Sequence, residues 1–104
     1  MPLGEFKGHY FYLRGGRDNN KKSSFFSLCK ETESSIEGDG QDELGVFSLS
    51  FSLNANGSFS ATKKYSNQVI NFQGNFERSD EGVRKLKGSW SGPGNAGEIE
   101  YSRC

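Results

Sequence analysis

The sequence is short of the residues that carry strong chemistry. It holds one histidine, two cysteines and one methionine in 104 residues. The cysteines, Cys29 and Cys104, form no C-x-x-C pair, so no Cys/His zinc centre is expected. Two free thiols are expected instead, because the strand order argued below sets them farther apart than a disulfide spans. Charge of one sign is also missing: 13 basic residues balance 13 acidic ones. That balance excludes a basic nucleic-acid tail, and no nucleic-acid partner is expected. No apolar run is long enough for a spanning helix. Residues 1–13 lack the apolar stretch of a secretory signal. Pro2 in place of Gly excludes myristoylation, and Cys104 in last place excludes a prenylation box. The expectation is a cytoplasmic protein that does not engage membranes.

Catalytic patterns are equally scarce. His9 is the only imidazole, and period-2 reading puts it on an outward face. Residues 88–92 read Gly-Ser-Trp-Ser-Gly, which resembles a nucleophile elbow except that its centre is Trp90. Residues 92–97 fit G-x-G-x-x-G, but too little chain follows for the helix a dinucleotide needs. No enzyme activity and no cofactor are expected. Glu37, Asp39, Asp42 and Glu43 gather four carboxylates without EF-hand spacing, so a metal site is not expected. The bland reading is a polar turn in which Asp42 accepts backbone N–H bonds before Gly45.

What the chain does have is alternation. Leu, Ile, Val and Phe total 22 residues, a low count that, with zero net charge, still suits a folded domain with a modest core. Phe47, Leu49, Phe51 and Leu53 alternate with Ser48, Ser50 and Ser52, the period of a half-buried strand. Asn56 and Gly57 then supply a hairpin turn. Phe59, Ala61, Lys63 and Tyr65 share the next inward face. The pattern recurs with Ile70, Phe72, Gly74 and Phe76, with Leu86, Gly88 and Trp90, and with Ile99 and Tyr101. Near the start, Phe6, Gly8, Tyr10 and Tyr12 share a parity, and short strands are expected at 25–29 and 35–38.

These segments make eight strands with short connections, which favours antiparallel neighbours. A flat meander would leave two exposed edges, and pairing the last strand with the first removes both. The predicted fold is therefore all-β, an eight-stranded antiparallel up-and-down barrel formed by residues 1–104 as one domain. Inward glycines at Gly8, Gly38, Gly74 and Gly88 suit the sharp bends that closure needs. The expected core includes Phe47, Leu49, Phe51, Ile70, Phe72, Leu86, Trp90 and Ile99.

The order of Gly4, Phe6, Gly8 and Tyr10, then Ile36, Gly38, Gly40, Asp42, Gly45, Phe47 and Leu49, then Phe59, Lys63, Tyr65, Phe72, Gly74, Gly88, Trp90, Gly97 and Ile99 resembles a calycin-like module. It is similar to the small eukaryotic β-barrels of lipocalin or avidin type. The resemblance spans nearly the whole chain and implies a binding barrel. It carries no activity, because fold does not fix function.

Lys63 is the residue that most needs a reason. An inward ammonium must reach a rim, pair with an acid such as Asp42, or hold an anionic ligand. Tyr10, Tyr12, Tyr65 and Tyr101 share the predicted interior, and buried phenols want hydrogen-bond partners. With Trp90 they form the candidate ligand-binding set, and Phe47, Phe51 and Phe72 would complete its floor. The preferred function is a non-enzymatic module, monomeric, that recognises a protein partner through the mouth loops or outer face. Phe11 and Leu13 beside His9 are one outward apolar patch for that role. Arg14, Arg17, Lys21 and Lys22 crowd the first long loop, a charge run read as solvated surface, with binding of phosphate or an acidic partner as the alternative. The alternative is a small organic ligand, anionic or hydrophobic, bound inside the barrel.

Overall fold

A computed structural model describes residues 4–12, 22–92 and 95–104. Eight strands follow in order: β1 Glu5–Tyr12, β2 Lys22–Glu31, β3 Ser35–Asp42, β4 Gly45–Leu53, β5 Ser58–Lys64, β6 Val69–Ser79, β7 Gly82–Gly92 and β8 Asn95–Arg103. Each pairs antiparallel with its sequence neighbours, and β8 closes onto β1 with Tyr10 opposite Ile99 and Gly8 opposite Tyr101. The barrel therefore has no free edge, which removes the template for edge-to-edge pairing. No helix occurs among the described residues.

The turns follow local chemistry. Gly45, Gly57 and Gly82 take positive φ at 122°, 92° and 118°, where a Cβ would be strained. Closure depends on close backbone approach at other glycines. Gly74 and Gly88 face each other across β6 and β7, and a Cβ on Gly74 would lie 2.0 Å from the Lys87 carbonyl oxygen.

Two strands differ from expectation. β2 runs beyond 25–29 at both ends, and β3 continues past Gly38 to Asp42. The acidic segment is thus largely strand: Glu37 and Asp39 point out, and only Asp42 turns in. Its inward positions are Gly38, as expected, and Gly40, beyond the expected end. Both are glycine because the β2 backbone comes close: a Cβ would fall 2.6 Å from the Ser27 carbonyl oxygen at Gly38 and 2.1 Å from that of Phe25 at Gly40. Ile70 is a correction of degree, since it is only partly buried against the core. The side chains of Phe11, Tyr12, Leu13, Arg14, Arg17 and Lys21, to which the sequence points, lie outside the described residues.

The interior divides into two halves. Phe26, Phe51, Phe59 and Phe72 pack ring against ring, Phe51 to Phe72 at 5.5 Å and Phe26 to Phe51 at 5.9 Å. That half ends in a polar clasp. Arg103 donates to the Val83 carbonyl at 2.7 Å and to Glu31 at 2.5 Å, and its guanidinium lies 4.9 Å from the centre of the Phe6 ring. Glu31 in turn accepts the Val83 N–H. The other half, where β3 turns into β4 and β5 into β6, holds the fully buried ion pair of Lys63 and Asp42.

Candidate functional site

Alternation along β5 sends Lys63 inward after Phe59 and Ala61, and the side chain is 3% exposed. Its ammonium reaches across the lumen to Asp42 at the end of β3, with Nζ 2.7 Å from Oδ2. It also donates to Tyr101 on β8 at 3.3 Å and to Ser24 on β2 at 3.4 Å. Those three oxygens use the three N–H bonds of an ammonium. Ser24 and Tyr101 share a further hydroxyl bond of 2.7 Å.

Asp42 is as fully engaged. Its Oδ2 also accepts the Tyr65 hydroxyl, and its Oδ1 accepts the Leu44 N–H at 2.9 Å. The carboxylate therefore does two jobs at once, neutralising Lys63 and fixing the β3–β4 turn. Rings enclose the pair: Nζ lies 4.2 Å from the Phe47 centroid and 5.3 Å from that of Tyr10, a range in which cations are attracted to ring faces. Trp90 stands edge-on to Tyr10 at 6.4 Å.

Burial sets the titration behaviour. Desolvation lowers the Lys63 pKa, and the Asp42 carboxylate counters it. Desolvation raises the Tyr65 phenol strongly, with the Asp42 bond and charge adding to it. Tyr101 is raised by desolvation against the opposing Ser24 bond. Both phenols are held neutral: Tyr65 donates to the Asp42 carboxylate, and Tyr101 accepts from the Lys63 ammonium and shares a hydroxyl bond with Ser24. Cys29 is exposed and donates to Asp39 at 3.4 Å, which raises its pKa and keeps it a thiol rather than a nucleophilic thiolate.

Of the residues singled out from sequence, Lys63, Tyr65 and Tyr101 meet in one network, while Tyr10 and Trp90 flank it. Phe51 and Phe72 belong to the apolar half. Pairing of Lys63 with Asp42 was one of three readings of that lysine, and it is the arrangement present. Ser24 was missed, although its shared parity with Phe26 and Leu28 marks it as inward. No groups of three or more potential metal ligands occur among the described residues.

A second feature lies at the same end, on the outside. Phe25, Leu44, Val46 and Val69 are the exposed large hydrophobics among the described residues, 46–69% accessible. Phe25 and Val46 flank Gln41 in one cross-strand row of β2, β3 and β4. They line a groove of about 630 Å³ with Asp39, Lys64, Tyr65 and Ser66. Leu44 sits in the turn that Asp42 fixes, and Val69 begins β6 beyond the next turn.

No family model and no curated protein matches the chain. Among solved structures it is similar to a de novo designed fluorescence-activating β-barrel, with 13% identity and a TM-score of 0.62. The match covers 100% of this chain and 94% of that one. At that identity the likeness concerns the fold, a small closed eight-stranded barrel. The calycin assignment rests on the sequence motifs alone.

Proposed function

We propose that this barrel is a non-enzymatic binding module that docks a protein partner on the outer wall at its charged end. One observation carries this reading: among the described residues, the exposed large apolar side chains, Phe25, Leu44, Val46 and Val69, all lie within a few residues of the β1–β2, β3–β4 or β5–β6 connections. Scattered apolar residues need no explanation, but a gathered set beside a groove does. Asp39 and Lys64 at the groove supply charge on either side of an apolar anchor, the arrangement of an interface centre with a polar rim. The interior network serves that surface. By bonding Leu44 N–H, Asp42 holds the turn that displays Leu44 and Val46, which lowers the ordering cost of binding. The two exposed thiols suit a reducing compartment, consistent with work in the cytoplasm.

A photo-crosslinking residue at position 46, compared with one at position 62 on the outer face of β5, tests the reading. A partner captured from 46, not from 62, and lost when Phe25 is changed to Ser supports it. Identical capture from both positions refutes it.

A second reading has its own support in the polar lumen: Lys63, Tyr65, Tyr101, Tyr10 and Trp90 orient a small organic ligand, as a designed relative in fold is named for activating a fluorophore. The ligand would have to displace Ser24 or Tyr101 from the ammonium. Thermal melts with a panel of organic anions separate the readings, because only a lumen ligand raises the melting point of wild type and fails to raise that of Lys63→Met.

A further inference from the structure

The outer face of β4 to β7 differs from the rest of the wall. Registers place Ser50, Thr62, Asn71 and Ser91 in one row across four strands, and Ser52, Ser60, Gln73 and Ser89 in the next. These eight neighbouring outward positions carry hydroxyls or amides and no charge. Charge begins at one end of each row, at Glu37 opposite Ser50 and Glu98 opposite Ser89, while the other ends meet Ala96 and Ser35. Serine and asparagine are not favoured in strands, and neither supplies the charge that usually keeps a sheet face soluble. Short side chains here leave a trough of about 770 Å³ over the sheet, within the size range of ligand sites. A second trough of about 520 Å³ shares Gln73 and Ser89 but is lined along β6 to β8 by Glu77, Lys85, Lys87 and Glu98, so the uncharged surface ends where it begins.

Its chemistry narrows the occupant. A nucleic acid would need cations for its phosphates, and the two rows have none. A peptide adding as a strand would need an open edge, and the barrel has none. Ser, Thr, Asn and Gln side chains each both donate and accept, which matches ligand groups that do the same at close intervals. We infer that the β4–β7 trough binds a neutral oligosaccharide, its hydroxyls exchanging hydrogen bonds with Thr62, Asn71 and Gln73 at the floor. This site is separate from the rim that Phe25 and Val46 form.

The test titrates the full chain with soluble neutral hexasaccharides of glucose and mannose in different linkages, followed by amide NMR. For at least one sugar, the side-chain amides of Asn71 and Gln73 should shift and saturate. Asn71→Ala/Gln73→Ala, both exposed positions, should weaken binding about tenfold or more at an unchanged melting point. Val46→Asp should bind the sugar as wild type does. Absence of saturable shifts for the whole panel overturns the inference, as do shifts centred on the rim or undiminished binding by the double variant.

Discussion

Removing the Lys63 ammonium should destabilise the barrel, and removing its partner's charge as well should restore it. The pair is 3% and 0% exposed at 2.7 Å, so its Coulomb attraction is about 6 kcal/mol at an effective dielectric of about 20. Desolvation of each ion costs several kcal/mol and offsets most of that. Lys63→Met removes the attraction but leaves the Asp42 carboxylate buried, with only Tyr65 and the Leu44 N–H to solvate it. The expected loss is about 3–5 kcal/mol. Lys63→Met/Asp42→Asn removes both charges yet keeps an oxygen for Leu44 N–H. It should lie within about 1–2 kcal/mol of wild type, since an apolar isostere of a buried pair is close to neutral. Urea unfolding read by Trp90, the single tryptophan, measures the cycle. A single variant as stable as wild type, or a double variant whose loss is the sum of the two singles, would refute the reasoning.

Other perturbations probe the apolar half, the closure and the phenols. Phe72→Ala, at a site packed on Phe51 and Phe59, should cost about 3–5 kcal/mol in the same assay; a loss below about 1 kcal/mol would mean that the core tolerates the cavity. Gly74→Val places a Cβ 2.0 Å from the Lys87 carbonyl oxygen and 2.4 Å from Gly88 Cα, so β6 and β7 must part, and a loss of at least about 1–3 kcal/mol is expected; an unchanged melt contradicts the close approach. Tyr65 and Tyr101 ionise above the ordinary value of 10.0 in the folded state, so their stabilisation is complete below pH 10 and declines as pH rises beyond it. Lys63 has the opposite sign, adding stability from its lowered pKa up to 10.5 and nothing further above. Above about pH 10.5 the balance is therefore loss, and phenolate absorbance should show at least two tyrosines silent until unfolding. Four phenols ionising together near pH 10 in folded protein would refute this.

The barrel was legible because period-2 alternation and turn glycines are local signals, and closure follows from the cost of open edges. β2 and β3 came out too short for a local reason as well. Ser24 and Gly40 occupy inward positions just beyond the expected ends; Ser24 is explained by its bonds to Tyr101 and Lys63, and Gly40 by the Phe25 carbonyl oxygen 2.1 Å from where its Cβ would lie. Lys63 was legible as a problem, since parity alone puts it inside. Its solution was only one option among several, because β3 and β5 are not adjacent and no pairing register relates Asp42 to Lys63. That contact depends on where strand ends meet across the lumen. The Arg103–Glu31 clasp escaped for the same reason, its partners lying on β8 and β2 with β1 between them.

The same geometry ties interior to surface. A barrel filled only with rings would gain stability by exchanging Lys63 and Asp42 for apolar residues, because an isolated ion pair contributes little net free energy when buried. The carboxylate has a further task that an apolar residue could not perform, since its Oδ1 holds the Leu44 N–H and its Oδ2 holds Tyr65 at the head of the next turn. Two adjacent turns are thereby anchored to a single buried group, and between them they carry Leu44 and Val69 and border Val46. On the docking function proposed above, an ion pair buried at this end holds in place the turns that would meet the partner, which is the rigid support a recognition rim requires.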